Sequence, residues 1–288
     1  MSINRKRGTI IIILLLVFIA IYLYYENNAL TLTTLEIKSE KIPEDFDGFS
    51  VVQISDLHNA SFGKDNAKLT EMISQADPDI IVFTGDIFDS RHTDVNVSVS
   101  LVKKCTEIAD CYYVTGNHEY RCPEALEQFI DGASTADNFY WLDDSSLKLK
   151  RGESYITLMG VNDPTSNFNP DEPADIDEIM TESLNNIVTE SDGYSILLSH
   201  RPEFAEVYGS FDIDLVLTGH AHGGQIRLPF IGGLIAPGQG YFPKWTSGVY
   251  DISTTSLVVS RGLGNSIFPF RIGNRPEVVT LVFRAVKE

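Results

Sequence analysis

Residues 215–222 read LVLTGHAH, an apolar run that stops at two histidines separated by one residue. The run has the length and composition of a buried strand, and side chains two apart in an extended segment point the same way. The imidazoles of His220 and His222 can therefore face one point beyond the strand end, and Gly219 lets the backbone turn sharply there. Imidazole suits metals such as zinc, iron, nickel and copper. Because such a pair also occurs by chance, the residues at the other strand ends decide whether these histidines belong to a metal site.

Four further apolar runs end in polar turns of the same kind. The turns are SDLH at 55–58, GDIFD at 85–89, GNHE at 116–119 and SH at 199–200. Five of the six histidines lie at these strand ends, and only His92 lies elsewhere, in a polar loop. Ligands of open α/β sheets bind at the carboxyl ends of the strands. The coincidence of His, Asp and Asn at five such ends predicts a metal centre.

Strand-like and helix-like segments alternate along the chain. Strands are predicted at 34–38, 49–55, 79–84, 112–115, 155–161, 194–199, 214–218, 256–260 and 278–283, and helices at 64–75, 95–108, 123–130 and 175–188. This alternation is typical of α/β layers, and no internal repeat is found. The Asn-, Asp- and Pro-rich residues 162–173 are interpreted as a loop inside one domain.

The charge and the cysteines exclude several classes of protein. A net charge of −18 argues against a nucleic-acid-binding surface, which needs basic groups to neutralise phosphates. A protein this acidic that handles anions must obtain positive charge elsewhere, and bound metal is one source. The three cysteines have neither metal-ligand spacing nor the even count of a disulfide framework. Buried thiols are expected, and a single Cys105–Cys111 bridge is the alternative.

The N-terminus carries an apolar segment at 9–25, preceded by Arg5-Lys6-Arg7. About 17 uncharged residues lie near the lower limit for a helix that spans a bilayer. By the positive-inside rule the N-terminus stays in the cytoplasm and the rest lies outside. A cleaved signal peptide is the alternative, but no small-residue cleavage site follows the run. We expect a single-pass cell-membrane protein with a cytoplasmic tip and anchor at 1–28 and an extracytoplasmic catalytic domain at 29–288. Residues 26–48 are expected to form a stalk that leads into the first strand.

The ordered series of turns resembles the calcineurin-like metallophosphoesterase superfamily, and most closely its bacterial membrane-anchored or exported phosphodiesterase-like branch. The blocks that carry the resemblance are D-x-H at 56–58, GD-x-x-D at 85–89, GNHE at 116–119, His200 and GH-x-H at 219–222, together with HGGQIRLP at 222–229 and SRGLGN at 260–265. The resemblance implies a four-layer α/β sandwich of two mixed β-sheets flanked by helices, behind one transmembrane helix. It also implies a hydrolase with two divalent metal ions, whose identity among Mn, Fe, Zn, Co and Ni is left open.

Carried over by position, the resemblance implies a role for each site residue. One ion would be held by Asp56, His58 and His222, the other by Asn117, His200 and His220, with Asp86 bridging the two. His118 would contact the phosphate and protonate the leaving oxygen, and Asp89 would orient its ring. Glu119 is left between a buried supporting residue and an exposed turn residue.

Two positions differ from the patterns of protein phosphatases and purple acid phosphatases, and so disfavour these two functions. Ser90 stands where protein phosphatases carry an arginine, and Asp89 stands where purple acid phosphatases carry a tyrosine. We therefore expect a phosphodiesterase acting on a small or lipid-linked phosphoester at the membrane surface. A phosphomonoesterase and a catalytically silent metal-binding surface protein are the alternatives. The substrate-binding residues stay unknown, and the candidate partners for its charge are Arg121, Arg201, Arg227 and Arg261.

The apolar, glycine-rich segment 228–237 follows the last histidine. It is interpreted either as a hairpin packed on the sheet or as an apolar wall beside the metals that faces the membrane.

Overall fold

The computed structural model describes residues 2–167, 175–188, 193–265 and 268–287, with the side chains of 2–6 and 167 left undescribed. The helices are, in chain order, α1 (Ser2–Asn28), α2 (Ala67–Gln75), α3 (Val95–Thr106), α4 (Asn117–Tyr120), α5 (Pro123–Ala133), α6 (Ile176–Ile187) and α7 (Ala205–Tyr208). The strands are β1 (Thr31–Ser39), β2 (Ser50–Ile54), β3 (Ile80–Thr84), β4 (Asp110–Val114), β5 (Phe139–Trp141), β6 (Ser145–Arg151), β7 (Ser154–Gly160), β8 (Ser195–Leu198), β9 (Leu215–Thr218), β10 (Arg227–Leu228), β11 (Gly232–Gly233), β12 (Ile235–Ala236), β13 (Gly240–Tyr241), β14 (Gly248–Ile252), β15 (Thr255–Val259) and β16 (Glu277–Ala285).

Two six-stranded mixed sheets form the centre of the molecule. The first has the order β1-β16-β2-β3-β4-β5, and the second has the order β14-β15-β9-β8-β7-β6. Strands β2, β3 and β4 run parallel to one another, as do β7, β8, β9 and β15. The carboxyl ends of these strands therefore lie on one edge of each sheet, where the polar turns follow.

Alternating side chains explain why the central strands are apolar on both faces. Leu215 and Leu217 of β9 pack between the two sheets, whereas Val216 points to the outer face, toward helices α6 and α7. In β2, Val51 lies between the sheets and Val52 packs toward the helices on the other side. Burial on both faces converts period-two alternation into a continuous apolar run. The result is the expected four-layer sandwich of helices, sheet, sheet and helices.

The carboxyl edges of the two sheets are tied together by a buried glutamine. Nε2 of Gln53 in β2 donates to Oγ1 of Thr84 at 3.0 Å and to the main-chain oxygen of Thr218, in the other sheet, at 2.9 Å. Gln53 is fully buried, so these bonds are shielded from water. The turns that follow β2, β3 and β9 are thereby held at one place.

The N-terminal helix joins the domain directly. Helix α1 includes one apolar span, Arg7–Asn28, that is long enough to cross a membrane, and the most apolar 18-residue stretch of it is not buried against the described parts of the domain. It ends at Asn28, and β1 begins at Thr31, so the stalk expected from residue 26 is wrong. Glu26 is buried where the helix meets the domain.

Other differences are local. Strands β5, β6 and β14 were not predicted, and the helix expected from residue 64 starts with a short 3₁₀ turn before α2 begins at Ala67. Residues 228–237, expected either as a hairpin on the sheet or as an apolar wall, contribute to two small antiparallel pairs, β10–β11 and β12–β13, which are separate from both large sheets. Cys105, Cys111 and Cys122 are free thiols, and the first two are buried. Residues 168–173 of the predicted loop lie outside the described residues.

Candidate metal centre

The polar turns hold their side chains in an unusual backbone conformation. Five of the seven predicted ligands have φ angles in the left-handed region, which costs energy for residues with a side chain. They are Asp56 (51°), His58 (45°), Asp86 (51°), His220 (60°) and His222 (46°). The turns hold one another, since the main-chain N–H of His220 donates to Asp56 and that of His118 donates to Asp86. Residues kept in such conformations are concentrated at functional sites.

The first cluster gathers Asp56, His58, Asp86 and His222, all buried, with their ligand atoms within 4.8 Å of one another. Nε2 of His58 lies 3.2 Å from Nε2 of His222 and 3.5 Å from Oδ2 of Asp86. Nε2 of His222 lies 3.5 Å from Oδ1 of Asp56. Neighbouring ligands of one ion are about 3.0–3.5 Å apart when the metal–ligand bonds are about 2.1 Å long. The four side chains therefore fit a single divalent ion.

The second cluster contains Asp86, His200 and His220. Nε2 of His200 lies 3.3 Å from Oδ2 of Asp86 and 3.1 Å from Nδ1 of His220. Oδ2 of Asp86 is thus close to a ligand nitrogen of each cluster, which is the geometry of a bridging carboxylate. The side-chain oxygen of Asn117 faces Nδ1 of His220 at 3.0 Å, an arrangement of two acceptors that a cation would stabilise.

Hydrogen bonds and burial prepare these imidazoles for a metal. Nδ1 of His200 lies 2.7 Å from the main-chain oxygen of Thr84, so in the neutral ring this nitrogen carries the proton and Nε2 has the lone pair that a metal needs. Burial lowers the pKa of His58 to about 3 and holds the pKa values of His220 and His222 well below the ordinary value. Neutral imidazole is the form that binds metal.

The protein does not supply enough positive charge to neutralise the carboxylates of the site. Burial opposes the charged form of His200, yet Asp86 raises the pKa of His200 to about 10. Burial also raises the pKa of Asp56 to about 6. Divalent cations would neutralise both carboxylates. Together the two clusters fit a dinuclear divalent metal centre.

His118 lies beside the clusters with its Nε2 4.0 Å from Oδ2 of Asp86. The main-chain N–H of Ser90 donates to its Nδ1 at 3.1 Å. Asp89 is 3.7 Å from the same nitrogen, as an ion-pair partner outside hydrogen-bond distance. The backbone of Ser90 therefore fixes the imidazole ring of His118. It leaves the proton of a neutral His118 on Nε2. From the sequence alone, Ser90 was noted only because protein phosphatases carry an arginine at this position.

Glu119 is fully buried, which settles the choice left open by its sequence position. Its carboxylate accepts hydrogen bonds from the main-chain N–H groups of Gly116 (2.7 Å), Asp86 (3.0 Å) and Ile87 (2.8 Å). Burial raises its pKa to about 8, while these donors favour the charged form. Glu119 thus ties the turn after β3 to the turn after β4, and with them Asp86 to Asn117.

Gly219 has a different role from the one expected. Its φ angle is not in the left-handed region, so a sharp turn is not the reason for a glycine. A Cβ atom at this position would collide with Oγ of Ser55 and with Oδ2 of Asp56. The glycine is needed because the turns after β2 and β9 pass close to each other.

The four candidate arginines divide into two pairs. Arg121 and Arg201 line a cavity of about 150 Å³ beside the clusters, together with Asp86, His118 and His220. Arg201 is also held by the buried Asp163 at 2.6 Å. Arg227 instead donates to the main-chain oxygen of Gly223, and Arg261 pairs with Glu277.

Comparisons with known proteins agree with this geometry. The chain is 32% identical over 268 residues to the uncharacterized metallophosphoesterase YkuE of Bacillus subtilis. The match covers 91% of this chain and 88% of that protein. It is 28% identical over 290 residues to the transmembrane protein with metallophosphoesterase domain of Danio rerio, covering 96% of this chain and 63% of that one.

Solved structures show the same fold. The crystal structure of TT1561 of Thermus thermophilus has a TM-score of 0.52 with this chain at 12% identity, covering 75% of this chain and 90% of that one. The model of the calcineurin-like phosphoesterase family matches residues 49–224, the segment that carries all the clustered ligands. Since match, fold and paired His/Asp clusters agree, the chain belongs to the calcineurin-like phosphoesterase family.

Proposed function

We propose that this protein hydrolyses phosphodiesters, small or lipid-linked, at a membrane surface. One ion would be held by Asp56, His58 and His222 and the other by Asn117, His200 and His220, with Asp86 between them. When bound, two divalent ions would neutralise the phosphate charge and supply hydroxide near neutral pH. The identity of the ions stays open among Mn, Fe, Zn, Co and Ni, since mixed Asp, Asn and His ligands accept them all.

His118 is the proposed proton donor. His118 lines the same cavity as Asp86 and Arg121, and its Nε2 lies 4.0 Å from Oδ2 of Asp86. The Ser90 backbone bonds the other ring nitrogen and so leaves Nε2 free to donate toward Asp86 and a bound substrate. A donor held there can give a hydrogen bond, and then a proton, to the oxygen that leaves phosphorus. Asp89, 3.7 Å from Nδ1, would stabilise the ring whenever it carries a positive charge.

The shape of the site is the observation that carries the preference for diesters. The metal-site cavity shares Pro237 and Gly238 with a second, larger cavity of about 350 Å³. A monoester has one organic substituent, whereas a diester has a second one that must be accommodated. In addition, Arg201 is already paired with Asp163, so fewer cations are available for the dianion of a monoester.

The membrane part of the proposal rests on α1 and on the charges before it. Residues 1–28 would form the cytoplasmic tip and anchor, and 29–288 the catalytic domain on the extracytoplasmic side. Support comes from the unburied apolar span and from Arg5-Lys6-Arg7, which the positive-inside rule keeps in the cytoplasm. Protease treatment of intact cells tests the topology: the domain should be digested without breaking the membrane, and protection would contradict this side assignment.

The activity test uses the full chain, stripped of metal and reloaded with manganese. We expect turnover of bis(p-nitrophenyl) phosphate to exceed that of p-nitrophenyl phosphate and to require metal. Asp86→Asn should lose metal and activity together, whereas His92→Asn, outside both clusters, should lose neither. Preferential monoester turnover would support a phosphomonoesterase instead. Two bound ions without turnover of either ester would support a silent metal-binding protein.

A further inference from the structure

The second cavity is apolar. It is lined by Ile235, Ala236, Pro237, Gly240 and Phe268, with Gln225 as its one polar side chain among the described residues. Oε1 of Gln225 is buried and has no hydrogen-bond partner in the described parts of the chain. The volume of the cavity, about 350 Å³, is within the range of small-molecule sites. The size and apolar lining of the cavity therefore suit a hydrocarbon group.

Exposed apolar side chains continue from this cavity onto the surface. Phe230, Ile231, Tyr241 and Phe242 stand out on the segment that contains β10 to β13, with Phe230 fully exposed. Phe268, which lines the cavity, and Phe270 are exposed on a neighbouring loop. Soluble proteins rarely expose clustered large apolar groups, and such clusters mark partner or membrane surfaces.

The two apolar segments lie side by side. Ile226 and Ile272 form a bridge, and the main-chain N–H of Arg227 donates to the oxygen of Ile272 at 2.9 Å. The two segments also meet at the apolar cavity, which Ile235 and Phe268 both line, and we take their exposed apolar side chains as one face. We call this face the apolar rim, defined by Phe230, Ile231, Tyr241, Phe242, Phe268 and Phe270.

The apolar rim adjoins the end of the N-terminal helix. Oδ1 of Asn27 accepts hydrogen bonds from the main-chain N–H of Arg271 at 2.9 Å and from Nδ2 of Asn265 at 3.0 Å. Nδ2 of Asn265 also donates to the oxygen of Pro269. The loop that carries Phe268 and Phe270 is thus attached to the last turn of the helix that would enter the bilayer. A bilayer reached by that helix would meet the apolar rim.

We propose that the apolar cavity binds a hydrocarbon chain of a membrane lipid whose phosphodiester lies at the metal site. This deepens, and rests on, the proposed phosphodiesterase activity. Water adds across one P–O ester bond: its oxygen stays on phosphorus, and the departing oxygen takes a proton. The products are one phosphomonoester and one alcohol. The substrate reaches the site from the bilayer along the apolar rim, and the carbons nearest the phosphate occupy the cavity.

The test is a series of p-nitrophenyl alkyl phosphates with chains of one to ten carbons. The full chain is loaded with manganese in vesicles of digalactosyl diacylglycerol, a bilayer lipid without phosphate. Burying one methylene favours binding by about fourfold. We expect kcat/KM to rise by up to that factor per carbon until the cavity is filled. A value independent of chain length, with the methyl ester turned over, would overturn the lipid proposal and leave the diesterase standing.

Variants then locate the chain. Ile235→Ser and Phe268→Ser should flatten the dependence on chain length, so that kcat/KM for the decyl ester falls toward the value for the methyl ester. Val249→Ser, which removes an exposed apolar group from β14, is the matched control and should keep the full dependence. An unaltered dependence in both cavity variants would refute this site. Failure of the wild type on every ester, despite bound metal, would refute the phosphodiesterase proposal itself.

Discussion

Glu26, in the last turn of the N-terminal helix, accepts a hydrogen bond at 3.0 Å from the main-chain N–H of Asn274, near the other end of the chain. Both residues are buried. The side chain of Asn274 in turn donates to the main-chain oxygens of His222 at 2.7 Å and Gln225 at 3.1 Å. The end of the membrane helix therefore supports the turn that carries His222, one of the proposed metal ligands.

Glu26→Ala should weaken metal binding as well as the fold. The change leaves the buried N–H of Asn274 without its acceptor, which costs about 1–3 kcal/mol. We expect a lower melting temperature and a severalfold weaker affinity for manganese, measured on the full chain by thermal unfolding and metal titration.

The controls for this change separate the hydrogen bond from the charge. Glu26→Gln keeps an acceptor oxygen and should be close to the wild type, and Glu44→Ala alters an exposed acid. Unchanged melting temperature and metal affinity in Glu26→Ala would show that the helix end does not support the site. A fragment that begins near residue 30 lacks this contact, so full-length protein is the appropriate material.

Contacts such as that of Glu26 with Asn274 explain where sequence reasoning stops. An apolar run followed by Gly, Asp or His is a local pattern, so the five strand ends and the candidate ligands that cluster there could be predicted without a structure. The pairing of Glu26 with Asn274 joins distant parts of the chain, and no local pattern marks either residue. Gly219 was identified for the wrong reason, because its neighbour Ser55 belongs to another strand end.

The strands that were missed have a similar explanation. Strand β6, SSLKLKR, alternates polar and apolar residues and lies at the edge of its sheet, so it lacks the continuous apolar character of β9. Strand β14 is the opposite edge and is also partly exposed. Edge strands bury less of their surface, and their composition is therefore a weaker signal.

Glu119→Gln should destabilise the turns that carry Asp86 and Asn117. An amide nitrogen in place of one carboxylate oxygen would face a main-chain N–H donor, and at pH 9, above the Glu119 pKa of about 8, the remaining bonds would also lose their charge. Hydrogen bonds to charged groups contribute about 1.5–3 kcal/mol each. We expect the free energy of unfolding to fall by about 2–4 kcal/mol, together with a loss of bound metal, by thermal unfolding and elemental analysis. Glu124→Gln, an exposed acid at the start of α5, should change neither, and a stable, fully loaded Glu119→Gln protein would contradict the role.

His118→Asn should separate proton donation from metal binding. We expect kcat to fall by about 10²–10⁴-fold for a diester with an alkyl leaving group, because general acids contribute about that much. The loss should be smaller for nitrophenol, which leaves readily without a proton. Metal content should stay at the wild-type level, and His92→Asn should behave as the wild type. Equal losses for both leaving groups would remove His118 from the role of proton donor.

Gly219→Ala tests whether the close approach of two turns is required. The added methyl group would collide with Ser55 and with the carboxylate of Asp56. Neither side chain is free to move, because the Ser55 hydroxyl donates to that carboxylate at 2.6 Å and both residues are buried. Overpacking of this kind costs about 1–3 kcal/mol. We expect a lower melting temperature and loss of the ion held by Asp56, His58 and His222, with the other ion less affected. Gly193→Ala is the matched control, since its added carbon would lie 3.8 Å from the oxygen of Tyr155. Full occupancy of both metal positions in Gly219→Ala would show that the turns can separate without disturbing Asp56.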